Sequence, residues 1–285
     1  PYSRRMAYAF RIVNVFTIDG DRFSGNPLAV FEDARGLDER TMQALARQLN
    51  LSETTFVLPS ERADARVRIF TPGFEMPFAG HPTLGTASVV AGGRDQVVLE
   101  MKAGLVPVRR GADGAWTLRA AQAPVTRAVE ASRADLAAMV GLPAEAIAGE
   151  PRWVSTGVEQ LIIPITTPAH VRAARPVPAL LERWGYSAAR DEAMAYLWAP
   201  GEPRWTVRFF FTSAGAILED PATGSACANL GGWWIATGGG LPLTATLDQG
   251  DQAGRPSRLR LDVDAAGAIH VTGATIELGR GAIEV

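Results

Sequence analysis

The chain has 285 residues, 47% of them hydrophobic and 20% charged, with 28 Lys and Arg against 30 Asp and Glu for a formal charge of −2. This is the composition of a folded globular protein long enough for two domains, not of a disordered chain, and it leaves no net field with which to hold nucleic acid or an anionic membrane. A single cysteine, Cys227, excludes an intrachain disulfide framework and a cysteine-based zinc site and points to a reducing compartment, the cytoplasm.

Residues 1–5, ahead of Met6, lack the apolar stretch of a signal peptide and read as a remnant of cloning. No run of about 18 apolar residues occurs, so no segment reads as a membrane span. Short β-type runs bounded by Gly, Pro, Asn and Asp follow at 10–17, 28–31, 54–58 and 66–71. Between them, Asp38 to Gln48 places Met42, Leu45 and Leu49 at helical spacing behind an Asp N-cap, which predicts an amphipathic helix on the strands' outer face. A second helix, from His81 or Pro82 to about Ala91, is small and apolar nearly all round, the pattern of a buried helix.

Strands resume at 96–101, 104–110 and 116–120, with Ala112-Asp113-Gly114 as a hairpin turn. Ala121 to Val125 reads as the crossing between domains, giving a first domain over 6–122 and a second over 123–274, with a last strand at about 275–285 returning to the first. In the second, helices are predicted at 132–140 and 179–184, strands across 153–164 and at 207–211, and a small apolar helix at 226–237 that stops at Gly238-Gly239-Gly240. The tail returns to strands at 257–263, 268–273 and 275–278.

The two halves resemble each other. Val67-Arg68-Ile69-Phe70 leads through Glu75 to Ala79-Gly80-His81-Pro82 and a buried helix; Val207-Arg208-Phe209-Phe210 leads through Glu219-Asp220 to Thr223-Gly224-Ser225-Ala226 and another. Such a duplication predicts two pseudo-symmetric α+β domains, each wrapping strands around one central helix. If each helix begins just after its glycine, unpaired N–H groups point out of both starts into a shared interdomain cleft, and Gly80 and Gly224 let a small carboxylate approach the backbone closely.

Several side chains are placed to act there. His81 sits at a helix start, where the dipole favours the neutral imidazole; it can donate to or accept from a substrate, or serve as a cap or a satisfied core residue. Asp220 and Ser225 flank the second helix start, an order that also describes a turn and an N-cap. Glu53, before an apolar strand, has the surroundings of a carboxyl whose pKa is raised and which can take and return a proton, or else is simply solvated. Asn26, in Gly25-Asn26-Pro27, is either a ligand or turn chemistry. His170 and His270 have no partners at ligand spacing, so no metal is expected. Walker, dinucleotide, His-Glu-x-x-His and Gly-x-Ser-x-Gly motifs are absent.

Taken in order, Ser24-Gly25-Asn26-Pro27-Leu28-Ala29-Val30, Leu51-Ser52-Glu53-Thr54, Ile69-Phe70-Thr71-Pro72 through Ala79-Gly80-His81-Pro82-Thr83-Leu84-Gly85, and Glu219-Asp220-Pro221-Ala222-Thr223-Gly224-Ser225-Ala226 resemble the phenazine-biosynthesis PhzF-like family. The resemblance covers the chain from about residue 9 to the end. It implies the diaminopimelate-epimerase fold, two similar domains that are each a β-barrel around a central helix. It implies Glu53 as general acid/base, His81, Asp220 and Ser225 as residues lining the site, Gly80 at the carboxylate-binding helix start, no cofactor or metal, and a homodimer.

The activity so implied is a cofactor-independent isomerisation of a small cyclic or unsaturated amino or hydroxy carboxylate, as in trans-2,3-dihydro-3-hydroxyanthranilate. Racemases of the related fold use two opposed cysteines, whereas here Ala79 precedes Gly80 and the only thiol lies inside the second helix. The competing readings are a hydrolase with Ser225, His81 and Asp220 as a triad, and a small-carboxylate-binding protein with little catalysis.

Overall fold

The computed structural model describes residues 6–213 and 215–285; the N-terminal remnant read at residues 1–5 lies outside them. The chain divides into two compact units, the first running to Leu118 and adding Thr272–Val285, the second comprising Arg119–Val271.

The first unit contains β1 (Ala7–Val15), β2 (Asn26–Phe31), α1 (Glu39–Leu49), β3 (Glu53–Leu58), β4 (Ala65–Phe70), the short β5 (Glu75–Met76), α2 (Gly80–Val90), β6 (Gln96–Met101), β7 (Gly104–Arg110) and β8 (Trp116–Arg119). The C-terminal strand, Thr275–Glu284, runs antiparallel to β1. From it the sheet continues through β1, β2, β3, β4, β6, β7 and β8. The pairs β2–β3 and β4–β6 are parallel and the rest antiparallel. One edge of β4 is shared, with β5 on its C-terminal end and β6 on its N-terminal end.

α2 packs against β1, β2 and β3 and also against β6 and β7. Strands at about 4.8 Å spacing spread these contacts much wider than one helix if the sheet is flat, so the sheet curls around α2. That explains why this helix is apolar on every side and buried from Gly80 to Ala87. Gly85 is where it comes closest, since a methyl there would sit 2.6 Å from Leu28 Cδ2 and 2.9 Å from Val15 Cγ2.

α1 lies outside the curl, as its amphipathic pattern predicts. Asp38 caps it, accepting from the Thr41 N–H at 2.8 Å, and Asn50 ends it in the left-handed conformation. Its Met42, Leu45 and Ala46 close a cluster with Tyr8, Phe31, Phe56 and Phe70, in which Phe31 stacks on Phe56 at 4.8 Å and Phe56 meets Phe70 edge-on at 5.5 Å.

The second unit holds β9 (Val125–Ala128), α3 (Arg133–Met139), β10 (Arg152–Ser155), β11 (Glu159–Pro164), α4 (Pro168–Ala173), α5 (Pro178–Trp184), β12 (Tyr186–Ser187), β13 (Glu192–Ala199), β14 (Trp205–Ser213), β15 (Ala216–Asp220), α6 (Gly224–Ala236), β16 (Leu243–Gln249) and β17 (Ser257–Val263). β18 (Ile269–Gly273) ends where the chain re-enters the first unit. The sheet order is β9, β10, β11, β13, β14, β16, β17, with β15 on the C-terminal end of β14.

The pairing rules of the first unit recur here strand for strand. β10–β11 is antiparallel, β11–β13 parallel across helices, β13–β14 antiparallel, and β14 shares an edge between antiparallel β15 and parallel β16. α6 takes the place of α2 and packs on β9, β10, β11 and β17. The repeat reaches side chains: Arg68 makes a two-pronged bond to Glu75 and lies over Phe70, while Arg208 makes one to Glu219 and lies over Phe210. No helix among the described residues is long and apolar enough to cross a membrane.

Candidate active site

Glu53 opens β3 and pairs with Leu28 of β2, beside the turn that carries Asn26. That turn is tight: Gly25 has φ +84°, and a side chain there would come within 2.6 Å of the Val15 carbonyl. Asn26 is buried and accepts from the Ser52 hydroxyl at 3.3 Å, which ties the β2 start to the residue before Glu53.

The Glu53 side chain is 15% exposed, and its Oε2 lies 3.4 Å from Nδ1 of His81, which is 4% exposed. Burial pushes the His81 pKa down to about 3, against a hydrogen bond to the Pro27 backbone that works the other way. The imidazole is therefore neutral at ordinary pH, and its contact with Glu53 is that of a carboxyl beside a neutral ring, not an ion pair. Pro27 offers only a carbonyl, so the ring donates to it. Among the described residues His81 Nε2 has no hydrogen-bonding partner, so that bond falls to Nδ1 and the buried Nε2 keeps its lone pair.

His81 is the second residue of α2. The N-cap Ala79 has no side chain with which to bond the first turn, so the backbone N–H groups of that turn carry no cap. The first unit thus assembles Asn26, Glu53, Gly80 and His81 around one helix start.

In the second unit Asp220 ends β15 and Thr223 is the N-cap of α6. A Thr there ordinarily caps its helix, but this one makes no cap bond. Its hydroxyl donates to Asp220 Oδ2 at 2.5 Å, while Gln249 accepts from the Thr223 N–H at 3.2 Å and donates to the Asp220 carbonyl at 2.9 Å. The first-turn N–H groups of α6, after Gly224, are left uncapped in their turn. Ser225 follows Gly224, and its Oγ accepts from Gln160 Nε2 at 2.8 Å. Asp220, Gly224 and Ser225 are therefore brought together around the second helix start.

Sequence reasoning missed Thr223, Gln249, Gln160 and Asn229 as members of this arrangement. For Asn229 a signal existed, because it is the one amide side chain in a helix otherwise made of Gly, Ser, Ala, Cys, Leu, Trp and Ile. Cys227 is fully buried two residues beyond Ser225, and burial pushes its thiol pKa up, so it is an inert thiol. Among the described residues no three His, Cys, Asp or Glu side chains converge as a metal-binding group.

The profile described as phenazine biosynthesis-like protein matches residues 13–281. The chain belongs to that family. It is 39% identical over 283 residues to an uncharacterized isomerase of Pasteurella multocida, covering 98% of this chain and 94% of that one. It is 36% identical over 280 residues to the trans-2,3-dihydro-3-hydroxyanthranilate isomerase of Pseudomonas aeruginosa, with 92% and 95% covered. A crystal structure of a PhzF-family phenazine biosynthesis protein from Bacillus anthracis superposes with a TM-score of 0.84 at 23% identity, over 98% of this chain and all of that one. This family member is an isomerase, and its fold is the duplicated epimerase-like α+β fold that the resemblance implied.

Proposed function

We propose that this isomerase moves a proton on a small cyclic or unsaturated amino or hydroxy carboxylate, of the dihydro-hydroxyanthranilate kind, using Glu53 as its one acid/base and no cofactor or metal. The observation that carries the reading is an enclosed carboxyl, Glu53, set 3.4 Å from the neutral His81 beside an uncapped helix start. An isomerisation leaves the oxidation level of the substrate unchanged, so a group that takes and returns one proton is sufficient. General acid/base catalysis of this type contributes roughly 10²- to 10⁴-fold.

The Glu53 carboxylate removes a proton from a carbon adjoining the conjugated system, and the released electron pair spreads toward the substrate carboxylate. Uncapped N–H groups after Gly80 and Gly224 suit that negative charge. Glu53, now the acid, returns the proton to a second carbon on the same face. His81 orients the carboxyl as a neutral ring, and Asn26, Asp220 and Ser225 orient substrate.

A single-face transfer is favoured by what stands opposite in the repeat. Positions 79 and 223, ahead of the two helix glycines, are Ala and Thr, so the thiol pair of a two-base racemase has no counterpart. The hydrolase reading finds no comparable support, because the Ser225 Oγ is held by the Gln160 amide, which is not a base.

The test is to incubate the protein with trans-2,3-dihydro-3-hydroxyanthranilate in heavy water and follow the ring protons by NMR, with Glu53→Gln alongside. Rearrangement that depends on Glu53 is expected. Unchanged ring protons with the wild type overturn the substrate class, and turnover kept by Glu53→Gln overturns the acid/base role.

A further inference from the structure

We propose that Gln160 and Asn229 are positioning residues that fix Ser225 as a hydrogen-bond donor, so that the start of α6 selects a carboxylate over the corresponding neutral amide. The inference rests on reading that helix start as a carboxylate site.

The argument begins at Asn229, four residues after Ser225 and so on the same face of α6. It is completely buried, and Gln160 on β11 is 1% exposed. Asn229 Oδ1 accepts from the Thr156 backbone N–H and from the Thr156 hydroxyl, each at 2.8 Å. Asn229 Nδ2 donates to the Val158 carbonyl at 2.7 Å and to Gln160 Oε1 at 2.5 Å.

A backbone N–H can only donate and a carbonyl can only accept, so Thr156 and Val158 together permit one orientation of the Asn229 amide. That orientation presents an N–H to Gln160, which must answer with its oxygen. The Gln160 nitrogen is thereby turned to Ser225 Oγ, at 2.8 Å. Ser225 accepts that bond, and among the described residues its own hydrogen meets no acceptor.

Two buried amides thus carry the polarity of two backbone groups out to a partly exposed hydroxyl in the first turn of α6. The neighbouring first-turn N–H groups are donors as well. A ligand group made only of acceptors fits such a set, whereas the NH₂ of a carboxamide meets donors. The neighbouring Thr223 shows the opposite use of the same device: Gln249 donates to its hydroxyl at 3.0 Å, and its hydrogen is spent on Asp220.

Reversing the relay tests it. In Gln160→Glu a carboxylate replaces the donor, and the Ser225 hydrogen turns inward to it. Binding of anthranilate and of its carboxamide, anthranilamide, is measured by calorimetry for wild type, Gln160→Glu, Gln160→Met, Ser225→Ala and the Gln160→Glu/Ser225→Ala double variant.

The wild type is expected to prefer anthranilate. Gln160→Glu and Ser225→Ala are each expected to lose about tenfold or more for anthranilate and less than about threefold for anthranilamide, the size of one charge-assisted bond. Gln160→Met removes the donor and leaves the Ser225 hydroxyl able to accept as well as donate, so it is expected to narrow the preference by about threefold or more, through tighter binding of anthranilamide. In the Ser225→Ala background, Gln160→Glu is expected to cost less than about twofold.

An undiminished cost there shows charge repulsion acting without the hydroxyl and overturns the proposal. So does a preference left unchanged in Gln160→Met, or kept in Ser225→Ala; this last arm stands even if Gln160→Glu does not fold. The two readings fail separately: anthranilate binding with no turnover of the dihydro compound breaks the isomerase substrate class and leaves the relay, while turnover with an unchanged preference breaks only the relay.

Discussion

In the first half β3 opens with Glu53; in the second, the register that matches Arg68 with Arg208 puts Met194 in that place. Phe56 pairs with Arg68 and Leu197 with Arg208, so three residues back along each strand Glu53 corresponds to Met194, which is fully buried. Matching the helix starts, Gly80 with Gly224, sets His81 against Ser225, Ala79 against Thr223 and Gly85 against Asn229. What repeats is the frame: parallel and antiparallel pairs in one order, the shared edge of the Arg-bearing strand, and the Arg–Glu fork. Among the differences are four matched pairs of side chains at a strand start and around the helix starts, none of which the strand pairing uses. The frame therefore leaves room for the proposed acid/base in one half and the proposed set of polarised donors in the other.

The largest effect that can break this comparison is on turnover. Glu53→Gln is expected to reduce the rate on the dihydro compound by about 10³-fold or more, at the upper range for a general acid/base. Met194→Leu, a volume-conserving change at the matched position, is expected to stay within about threefold and to cost under about 1.5 kcal/mol in stability. Steady-state kinetics with a urea titration of each variant measures both. Comparable rate losses would mean that the halves share the chemistry after all.

Next in size is the pair at the matched helix position. Asn229→Ala strands the buried Thr156 N–H and hydroxyl, the buried Gln160 oxygen and the partly buried Val158 carbonyl, and is expected to cost about 3 kcal/mol. Gly85→Ala is expected to cost about 1–2 kcal/mol. Its methyl crowds Leu28 and Val15, while Ala's better helix propensity returns up to about 1 kcal/mol. Equilibrium unfolding of both variants sets the order; the reverse order would show that α6 is held by packing and not by its amide network.

Much of the frame is visible in the residues alone, and where it is not, tertiary context has overridden local preference. The Asp38 cap and the Met42, Leu45 spacing mark α1, and the apolar girth of α2 and α6 marks them as central helices. β13 goes unseen because Glu-Ala-Met-Ala-Tyr-Leu-Trp-Ala is made largely of helix formers; it is a strand because its neighbours β11 and β14 supply both edges and all but its first residue is buried. β15 is missed because a mixed polar run beside a loop carries no clean alternation, whereas β16 carries the signal in Leu243, Ala245 and Leu247 alternating with Thr244, Thr246 and Asp248. His81, Asp220 and Ser225 are legible as side chains near a glycine and a helix start, and Glu53 as a carboxyl ahead of an apolar strand. Gln160 and Gln249 are not, because a strand Gln becomes informative only when the pairing shows which hydroxyl it meets.

A pH effect sharpens the contrast between His81 and Ser225, one a titrating group and the other not. Burial holds the folded-state pKa of His81 at about 3, against about 6.5 for an unfolded chain. Between those values the unfolded state binds the extra proton, so the stability due to this group is complete above pH 6.5 and is lost as the pH falls toward 3. From pH 7 to pH 5 the loss amounts to about 2 kcal/mol. Urea midpoints at the two pH values should therefore draw closer together by that amount in His81→Gln, whereas Ser225→Ala should keep the wild-type difference. An unchanged difference in His81→Gln would mean that the ring is protonated in the folded state, and its contact with Glu53 would then be an ion pair in place of a neutral one.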